Sequence, residues 1–411
     1  MIDKWNERAL GEIAELRGRI GWKGLTAKEY TKSGPRFLSV HSLNYGPYVD
    51  FRDAFHISQE RYDESPEIML QEDDILICKD GAGIGKLGIA PKIVEPTTIN
   101  SSLLLIRPGK EVVPKYLYYC LLSPYFQRIV QSRLEGATTP HLYQRDIATF
   151  PVFLAPKSEQ RRIVAILDEA FEGLSRARAN TEANLQSTRE LFDEAVTECF
   201  FRASDTGTKS TLGTLATFRN GLNFTKASRG KSVKIVGVGD FKDHFVIPLD
   251  GLSHITVDGD LSDEDRLRPG DLLSVRSNGN RELIGRTMMM PNVEDEVSFS
   301  GFTIRIRLNS EQLLPQYLCE FMRTKAARRK LIDGGGGANI SNLNQKLLSD
   351  LEITFPDVER QRLLLIELAQ LRRQSAELLS IYSAKLQDLE DLRQSLLQKA
   401  FAGELTVKEF A

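Results

Sequence analysis

Gly83-Ile84-Gly85-Lys86-Leu87-Gly88 has the spacing of a dinucleotide-binding loop, and it follows the strand-like run Asp74-Ile75-Leu76-Ile77-Cys78. That chemistry needs the third glycine to open a helix whose N-terminus holds the pyrophosphate. Here Gly88 leads into Ile89-Ala90-Pro91 and then Pro96, so no helix of useful length starts there. A second stretch, Ser277-Asn278-Gly279-Asn280 to Gly285-Arg286, keeps only part of the glycine pattern. The reading is a glycine-rich hairpin or loop carrying Lys79, Lys86, Arg276, Arg281 and Arg286, not a cofactor cradle.

Other chemistries fare no better. Ser123-Pro124-Tyr125-Phe126 is similar to the catalytic tetrapeptide of adenine methyltransferases but lacks its second proline, and no glycine-rich cofactor motif precedes it. Tyr125 and Phe126 therefore read as helix packing. Asp73 and Asp74, near Lys79, do not continue into the Glu-x-Lys spacing of metal-dependent nucleases. The five histidines (His41, His56, His141, His244, His254) show no metal-ligand spacing. No serine or cysteine nucleophile context stands out. The expectation is no catalytic centre, no metal and no cofactor bound by this chain.

The composition sets the frame. At 411 residues the chain is too long for one compact domain, and 41% hydrophobic with 27% charged residues is ordinary globular composition. Four scattered cysteines (Cys78, Cys120, Cys199, Cys319) form no CxxC pair, which fits a reducing compartment. The first turn is polar (Asp3, Lys4, Glu7, Arg8), unlike a signal peptide, and no run of eighteen apolar residues exists. A cytoplasmic location with no membrane partner is expected. The 54 Lys+Arg against 56 Asp+Glu leave a formal charge of −2, which taken alone speaks against nucleic acid.

An internal repeat organises these residues. Leu10-Gly11-x-Ile13-Ala14-x-Leu16-Arg17 returns as Leu212-Gly213-x-Leu215-Ala216-x-Phe218-Arg219, 202 residues on. Pro114-x-Tyr116-Leu117 returns as Pro315-x-Tyr317-Leu318, and Gly136-Ala137 with Leu142, Gln144 and Arg145 matches Gly337-Ala338 with Leu343, Gln345 and Lys346, both 201 on. Pro156-x-x-Glu159 matches Pro356-x-x-Glu359 at 200. A near-constant offset over 150 residues marks a duplication.

Each half divides in two. The first part carries short β-branched and aromatic runs, such as 74–78 and Phe302-Thr303-Ile304-Arg305-Ile306, with helical segments at Pro114 to Arg133 and Pro315 to Leu331. The mixture predicts α+β. The second part is a long helix: residues 158–202 hold no proline and one glycine, and 358–402 hold neither. Ile163, Leu167, Ala170, Leu174 and Ala177 form one apolar stripe, continuing less cleanly to Leu191 and Ala195. In the second helix the predicted seam rows are Leu371, Leu378, Leu392 and Tyr382, Leu389, Leu396, interrupted by Lys385. Such helices, about 65 Å long at 1.5 Å per residue, need a partner, and each is the other's. The expected organisation is a target domain at 1–157, a helical spacer at 158–203, a second target domain at 204–357 and a second spacer at 358–411, the spacers pairing as an antiparallel coiled coil.

The remaining signal is electrostatic. Residues 206–239 hold Lys209, Arg219, Lys226, Arg229, Lys231 and Lys234 with no acid; the matching 16–49 holds Arg17, Arg19, Lys23, Lys28, Lys32 and Arg36 against Glu29 alone. Another cluster, Arg323, Lys325, Arg328, Arg329 and Lys330, precedes Gly334–Gly337. Basic runs at equivalent positions of a duplicated protein point to phosphate contact. Asn220, Asn223, Asn278 and Asn280, with Ser42 and Asn44, add side chains able to read base edges. The candidate DNA-binding residues are Arg17, Arg19, Lys23, Arg36, Lys79 and Lys86 in the first half. In the second they are Arg219, Asn220, Asn223, Lys226, Arg229, Lys231, Arg276, Asn278 and Arg281. The polar segments Thr138-Thr139-Pro140-His141 and Asn339-Ile340-Ser341-Asn342 read equally well as DNA contacts or as structural turns.

Two α+β halves, each followed by a long helix, resemble the specificity subunit of type I restriction-modification enzymes. The resemblance rests on the Leu-Gly-x-Ile/Leu-Ala openings and the glycine segments at Gly136 and Gly337. It extends to Pro156-Lys157-Ser158-Glu159-Gln160-Arg161 with its copy Pro356-Asp357-Val358-Glu359-Arg360-Gln361, and to the ending Leu392-x-x-Ser395-Leu396-Leu397-x-Lys399-Ala400-Phe401-x-Gly403-Glu404-Leu405. Arg360 departs from the glutamine expected there, and Phe192 to Phe200 is a degraded version of 392–401. The resemblance implies a non-catalytic subunit that reads a bipartite, asymmetric sequence in double-stranded DNA. It also implies docking of two DNA adenine methyltransferase subunits and restriction/translocase subunits. S-adenosylmethionine, ATP and Mg2+ would be held by those partners. The alternatives are a stand-alone nucleotide-dependent enzyme or nuclease, and a coiled-coil scaffold without DNA contact.

Overall fold

The computed structural model describes residues 5–18, 25–134, 141–204, 207–223, 229–242, 244–293, 295–333 and 342–405. They divide into unit 1, Met1–Glu182 with Ala384–Ala411, and unit 2, Ala183–Ser383. Each unit holds one α+β domain and one half of each long helix.

Unit 1 opens with β1 (Asn6–Ala9), α1 (Leu10–Ile13) and β2 (Ala14–Arg17), then β3 (Thr31–Leu38), β4 (Phe55–His56) and α2 (Gln59–Asp63). There follow β5 (Ile75–Cys78), β6 (Leu87–Ile89), β7 (Thr97–Ile99) and β8 (Leu103–Pro108). Next come α3 (Pro114–Leu122), α4 (Pro124–Leu134), α5 (Gln144–Ala148), β9 (Pro151–Leu154) and the long α6 (Lys157–Ser204). The strands form a four-stranded sheet β2-β8-β5-β6, a three-stranded sheet β4-β3-β7 and the pair β1-β9. All four residues of β5 are buried because the strand has a core on each side. Ile75 and Ile77 face α3, α4 and the long helices, whereas Leu76 and Cys78 face a second core with Leu38 of β3 and Ile99 of β7.

Unit 2 repeats this plan with β10 (Thr208–Thr211), α7 (Leu212–Leu215), β11 (Ala216–Asn220), β12 (Ser232–Val236) and β13 (Ser253–Thr256). It continues through β14 (Leu272–Val275), β15 (Thr287–Met289), β16 (Val297–Phe299) and β17 (Thr303–Leu308). It closes with α8 (Pro315–Arg323), α9 (Lys325–Asp333), α10 (Gln345–Ser349), β18 (Glu352–Phe355) and the long α11 (Val358–Phe401). Its sheets are β11-β17-β14-β15, β13-β12-β16 and β10-β18, element for element the order of unit 1.

The repeated signatures are packing solutions. Leu10 and Leu212 are fully buried, and a Cβ on Gly11 would press to 3.1 Å against Ala148 of α5. On Gly213 it would overlap Ser349 of α10, so only glycine lets the two short helices meet. Buried Gln160 accepts from Val113 N (2.7 Å) and donates to the carbonyls of Ala155 (2.8 Å) and Glu111 (3.2 Å). Gln361 does the same with Leu314 N (2.9 Å), Pro356 O (2.8 Å) and Gln312 O (2.7 Å). The partner of Gln160 is therefore Gln361, and the departure assigned to Arg360 was a one-residue slip in alignment.

Three further expectations change. The predicted helix 114–133 is broken at Ser123, whose hydroxyl donates to Cys120 O (2.6 Å) while Pro124 starts the next helix. Thr324 breaks 315–331 in the same way, with no proline, through its bonds to Phe321 O (2.7 Å) and from Ala327 N (3.2 Å). Of the tetrapeptide, Phe126 is buried against Phe150 at 5.1 Å, but Tyr125 is 42% exposed. In α11, Leu378 and Leu392 are 44% and 48% exposed. Half-buried Leu379, Leu386 and Arg393 stand in the seam instead, so Lys385 does not interrupt it. In α6, Leu191 is likewise exposed beside half-buried Phe192.

Within unit 1 the helices run antiparallel. Arg162 donates to Leu405 O (2.7 Å), and further along α6 Arg178 approaches Glu390 (4.0 Å), earlier on α11. Within unit 2, Arg202 of α6 pairs with Glu367 of α11 at 2.8 Å.

Candidate nucleic-acid interface

In each unit the central strand ends where the glycine-rich turn begins. Lys79 follows β5; its N–H donates to Ser102 O (2.8 Å) and its carbonyl accepts from Leu142 N (3.0 Å). Arg276 follows β14 and does the same with Phe302 O and Leu343 N, both at 2.8 Å. The bridges Asp80–His141 and Ser277–Asn342 extend the match, tying the glycine-rich turn to the end of the polar segment. The turn then closes through Gly85 N to Cys78 O (2.9 Å), or Gly285 N to Val275 O (3.0 Å). Both glycines have positive φ, +85° and +76°, which other residues rarely adopt. Gly88 lies inside β6 opposite Leu76, so no helix starts at the third glycine of the dinucleotide-like spacing.

On this shared frame the side chains differ. Lys79 and Arg276 are 197 apart but Gly85 and Gly285 are 200 apart, so the second turn is three residues longer and includes Asn278-Gly279-Asn280. Asn278 accepts from Asn280 N (2.8 Å), and Asn280 from Glu282 N (3.0 Å), which holds the longer turn. His141 contacts the Asp80 carboxylate and stands edge-on to Tyr143 at 4.5 Å, with Arg145 over the other ring at 5.0 Å. Gln144 donates to Leu16 O (2.9 Å), which brings Arg17 and Arg145 to one shallow depression of about 560 Å3. In unit 2 the matching residues are Arg219, Arg276, Asn342, Asn344 and Lys346. His141, Tyr143 and Arg145 were absent from the sequence candidates; Arg145 stood only as a repeat marker, and their stacking needs the bridge to Asp80.

The remaining candidates scatter. Arg36 pairs with Glu95 (2.9 Å) and lies over Phe51 at 4.9 Å. Lys86 donates to Asn44 (2.7 Å), which joins two candidates. Arg17 is held only by neighbouring Glu15, at 3.4 Å. Arg219 is gripped by Asp265 (2.7 Å) and Glu264, so its guanidinium titrates above its ordinary value. Lys231 meets Glu296 at 2.5 Å, and that ion pair lowers the Glu296 carboxyl. Lys234 meets Asp295 at 3.0 Å. Arg276 donates to Gly301 O (3.3 Å), and Arg229 is tied through its backbone to Asp258 (2.8 Å). Asn220 ends β11 opposite Ile304, and Asn223 lies against Gly301. Lys79 and Arg281 have no side-chain partner among the described residues. Arg19, Lys23 and Lys226 lie outside the described residues, as do Thr138-Thr139-Pro140 and Asn339-Ile340-Ser341.

The acid-free stripe of the second half is thus neutralised by carboxylates from residues 264–296. Beyond it, Arg328 donates to Glu282 O (2.7 Å) and Arg323 to His244 O (2.9 Å), so these cations meet carbonyls rather than carboxylates. Burial and the neighbouring Arg286 lower the Arg328 guanidinium. Among the described residues no cluster of His, Cys, Asp and Glu could hold a metal ion, and no helix is long and apolar enough to cross a membrane.

Residues 2–184 match the family model described as the type I restriction modification DNA specificity domain. The chain is 24% identical to the type I restriction enzyme StySPI specificity subunit of Salmonella potsdam, over 95% of this chain and 91% of that one. It is 23% identical to the EcoKI specificity subunit of Escherichia coli K12, over 98% and 90%. Among solved structures, it superposes with a TM-score of 0.74 at 18% identity, 98% of both chains covered, on a chain from work on complex assembly and conformational transition of the type I R-M system. With the HsdS subunit from Thermoanaerobacter tengcongensis the TM-score is 0.58 at 19% identity, over 98% and 97% of the chains.

Proposed function

We propose that this chain, a type I restriction-modification specificity subunit by the family of its residues 2–184 and by its similarity along nearly its whole length, reads a bipartite, asymmetric sequence in double-stranded DNA. Each domain takes one half-site, and α6 with α11 sets the unread gap. The same helices dock two DNA adenine methyltransferase subunits, to which restriction and translocation subunits attach. S-adenosylmethionine, ATP and Mg2+ belong to those partners, and the chemistry with them.

One observation carries this reading. The two units share a backbone frame at Lys79–Leu142 and Arg276–Leu343 yet place different side chains and different turn lengths on it. Two copies of one scaffold with unlike polar edges are what reading two unlike half-sites requires, since specificity comes from base-edge contacts and position from phosphate contacts. Against a stand-alone dehydrogenase, Gly88 sits in a strand where the cofactor would need a helix N-terminus. The test is to map methylated adenines in a host carrying this chain with its modification partner. The expected result is one recognition sequence in two parts with a fixed gap; an uninterrupted site, or no site, overturns the reading.

A further inference from the structure

Unit 1 contains an open cleft of about 740 Å3 between the turn at Gly85-Lys86, helix α3 and the two long helices. Its apolar floor includes Tyr118, Phe171 and Leu389, and its lining holds three cations, Lys86, Arg178 and Arg393, against one carboxylate, Glu390. That carboxylate lies 4.0 Å from both Arg178 and Arg393. Arg393 lies over the Phe171 ring at 5.3 Å, and Lys86 is bound only to the neutral Asn44. The cleft is therefore aromatic below and positive at its rim.

Unit 2 shows what chemistry fits such a place, because there the chain supplies it itself. Residue 119 of unit 1 is a tyrosine whose hydroxyl turns away to Asp168 (2.5 Å); its counterpart 201 residues on is the buried Glu320, bound to Arg372 of α11 at 2.7 Å. Pro47 accepts from Ile89 N (2.9 Å), and in its position Phe245 accepts from Met289 N (3.0 Å). The Phe245 ring lies under Arg372 at 5.3 Å and Arg323 at 5.8 Å. A carboxylate and an aromatic ring thus sit on helix arginines in unit 2, whereas Tyr119 and Pro47 provide neither in unit 1.

The geometry points to the unit 1 cleft as the seat of an acidic segment bearing an aromatic residue, carried by one of the two modification subunits. The inference rests on the docking role proposed above. Its consequence is that the two modification subunits are held unequally: one inserts a segment, while the other meets a site that Glu320 and Phe245 already fill. Charge complementarity and the aromatic floor favour such a segment, since cation–π contact and desolvated ion pairs reinforce each other.

The test is native mass spectrometry of the full chain assembled with its modification subunit, read first on wild type and then on two variants. Arg178→Glu with Arg393→Glu reverses the rim, and Ser175→Trp fills the cleft from an exposed position on α6. Two copies on wild type, falling to one on both variants at about a tenfold or greater cost to the second copy, is the expected result. Variants that melt as wild type does and keep both copies, or lose both together, overturn the cleft. A wild-type chain that takes no modification subunit, or only one, overturns the docking role itself and the cleft proposal with it.

Discussion

The ring of Phe401 stands edge-on to Tyr116 with centroids 5.3 Å apart, and Phe200 meets Tyr317 in the same geometry at 5.2 Å. The last turn of α11 thereby enters the core of the first domain, and the last turn of α6 enters that of the second. Each domain is closed by the helix end of the other repeat.

Removing one ring should damage one unit. Phe401→Ala is expected to cost about 3 kcal/mol, the usual range for a buried phenylalanine. Hydrogen exchange should show the lost protection around Tyr116 and leave the Tyr317 region unchanged. Equal loss in both regions would contradict the division.

Gln160→Leu and Gln361→Leu should each destabilise by about 2 kcal/mol or more, because each leaves an N–H and two carbonyls unpaired. Urea unfolding would show it. Arg360→Gln, at the exposed neighbouring position, should change stability by less than about 0.5 kcal/mol.

Acid stability should depend on Asp265. Burial alone would raise its carboxyl, but the hydrogen bonds from Arg219 and Ser262 outweigh burial and hold it below its ordinary value. A carboxyl so lowered contributes stability that is complete above its unfolded pKa, about 4, and is lost as pH falls through the folded value. Asp265→Asn should therefore flatten that part of the stability profile below about pH 4. An unchanged acid limb would show that the ion pair contributes nothing.

Cations that look alike in sequence should differ in DNA binding. Arg17→Ala, Lys79→Ala and Arg145→Ala in the assembled complex should each weaken binding and take about one unit off the slope of log K against log salt. Arg219→Ala should change the slope less, since Asp265 and Glu264 already engage the guanidinium. Titrations at two or three salt concentrations decide it; equal slopes for Arg17 and Arg219 would count against the unit 1 edge as the phosphate contact.

Duplication, fold class and the two long helices were legible from the chain alone because they depend on local order: β-branched runs, proline-free stretches and a constant offset near 201. The glycine of the Leu-Gly opening was legible as a marker, but its reason, contact with Ala148 or Ser349, was not. The α11 seam was read one residue out, because stripe counting cannot tell Leu378 from Leu379 until a facing helix buries one of them.

Charge shows the same boundary. The sequence by itself determined where the cations stand and that the two halves match. Which cations remain free was decided only by the tertiary structure: Asp265 lies 46 residues from Arg219, and Glu296 lies 65 from Lys231. Coulomb attraction acts through space, and chain folding sets those distances. The neutral total and the basic stripes were both true of the sequence, and only folding determined which of them a DNA phosphate would meet.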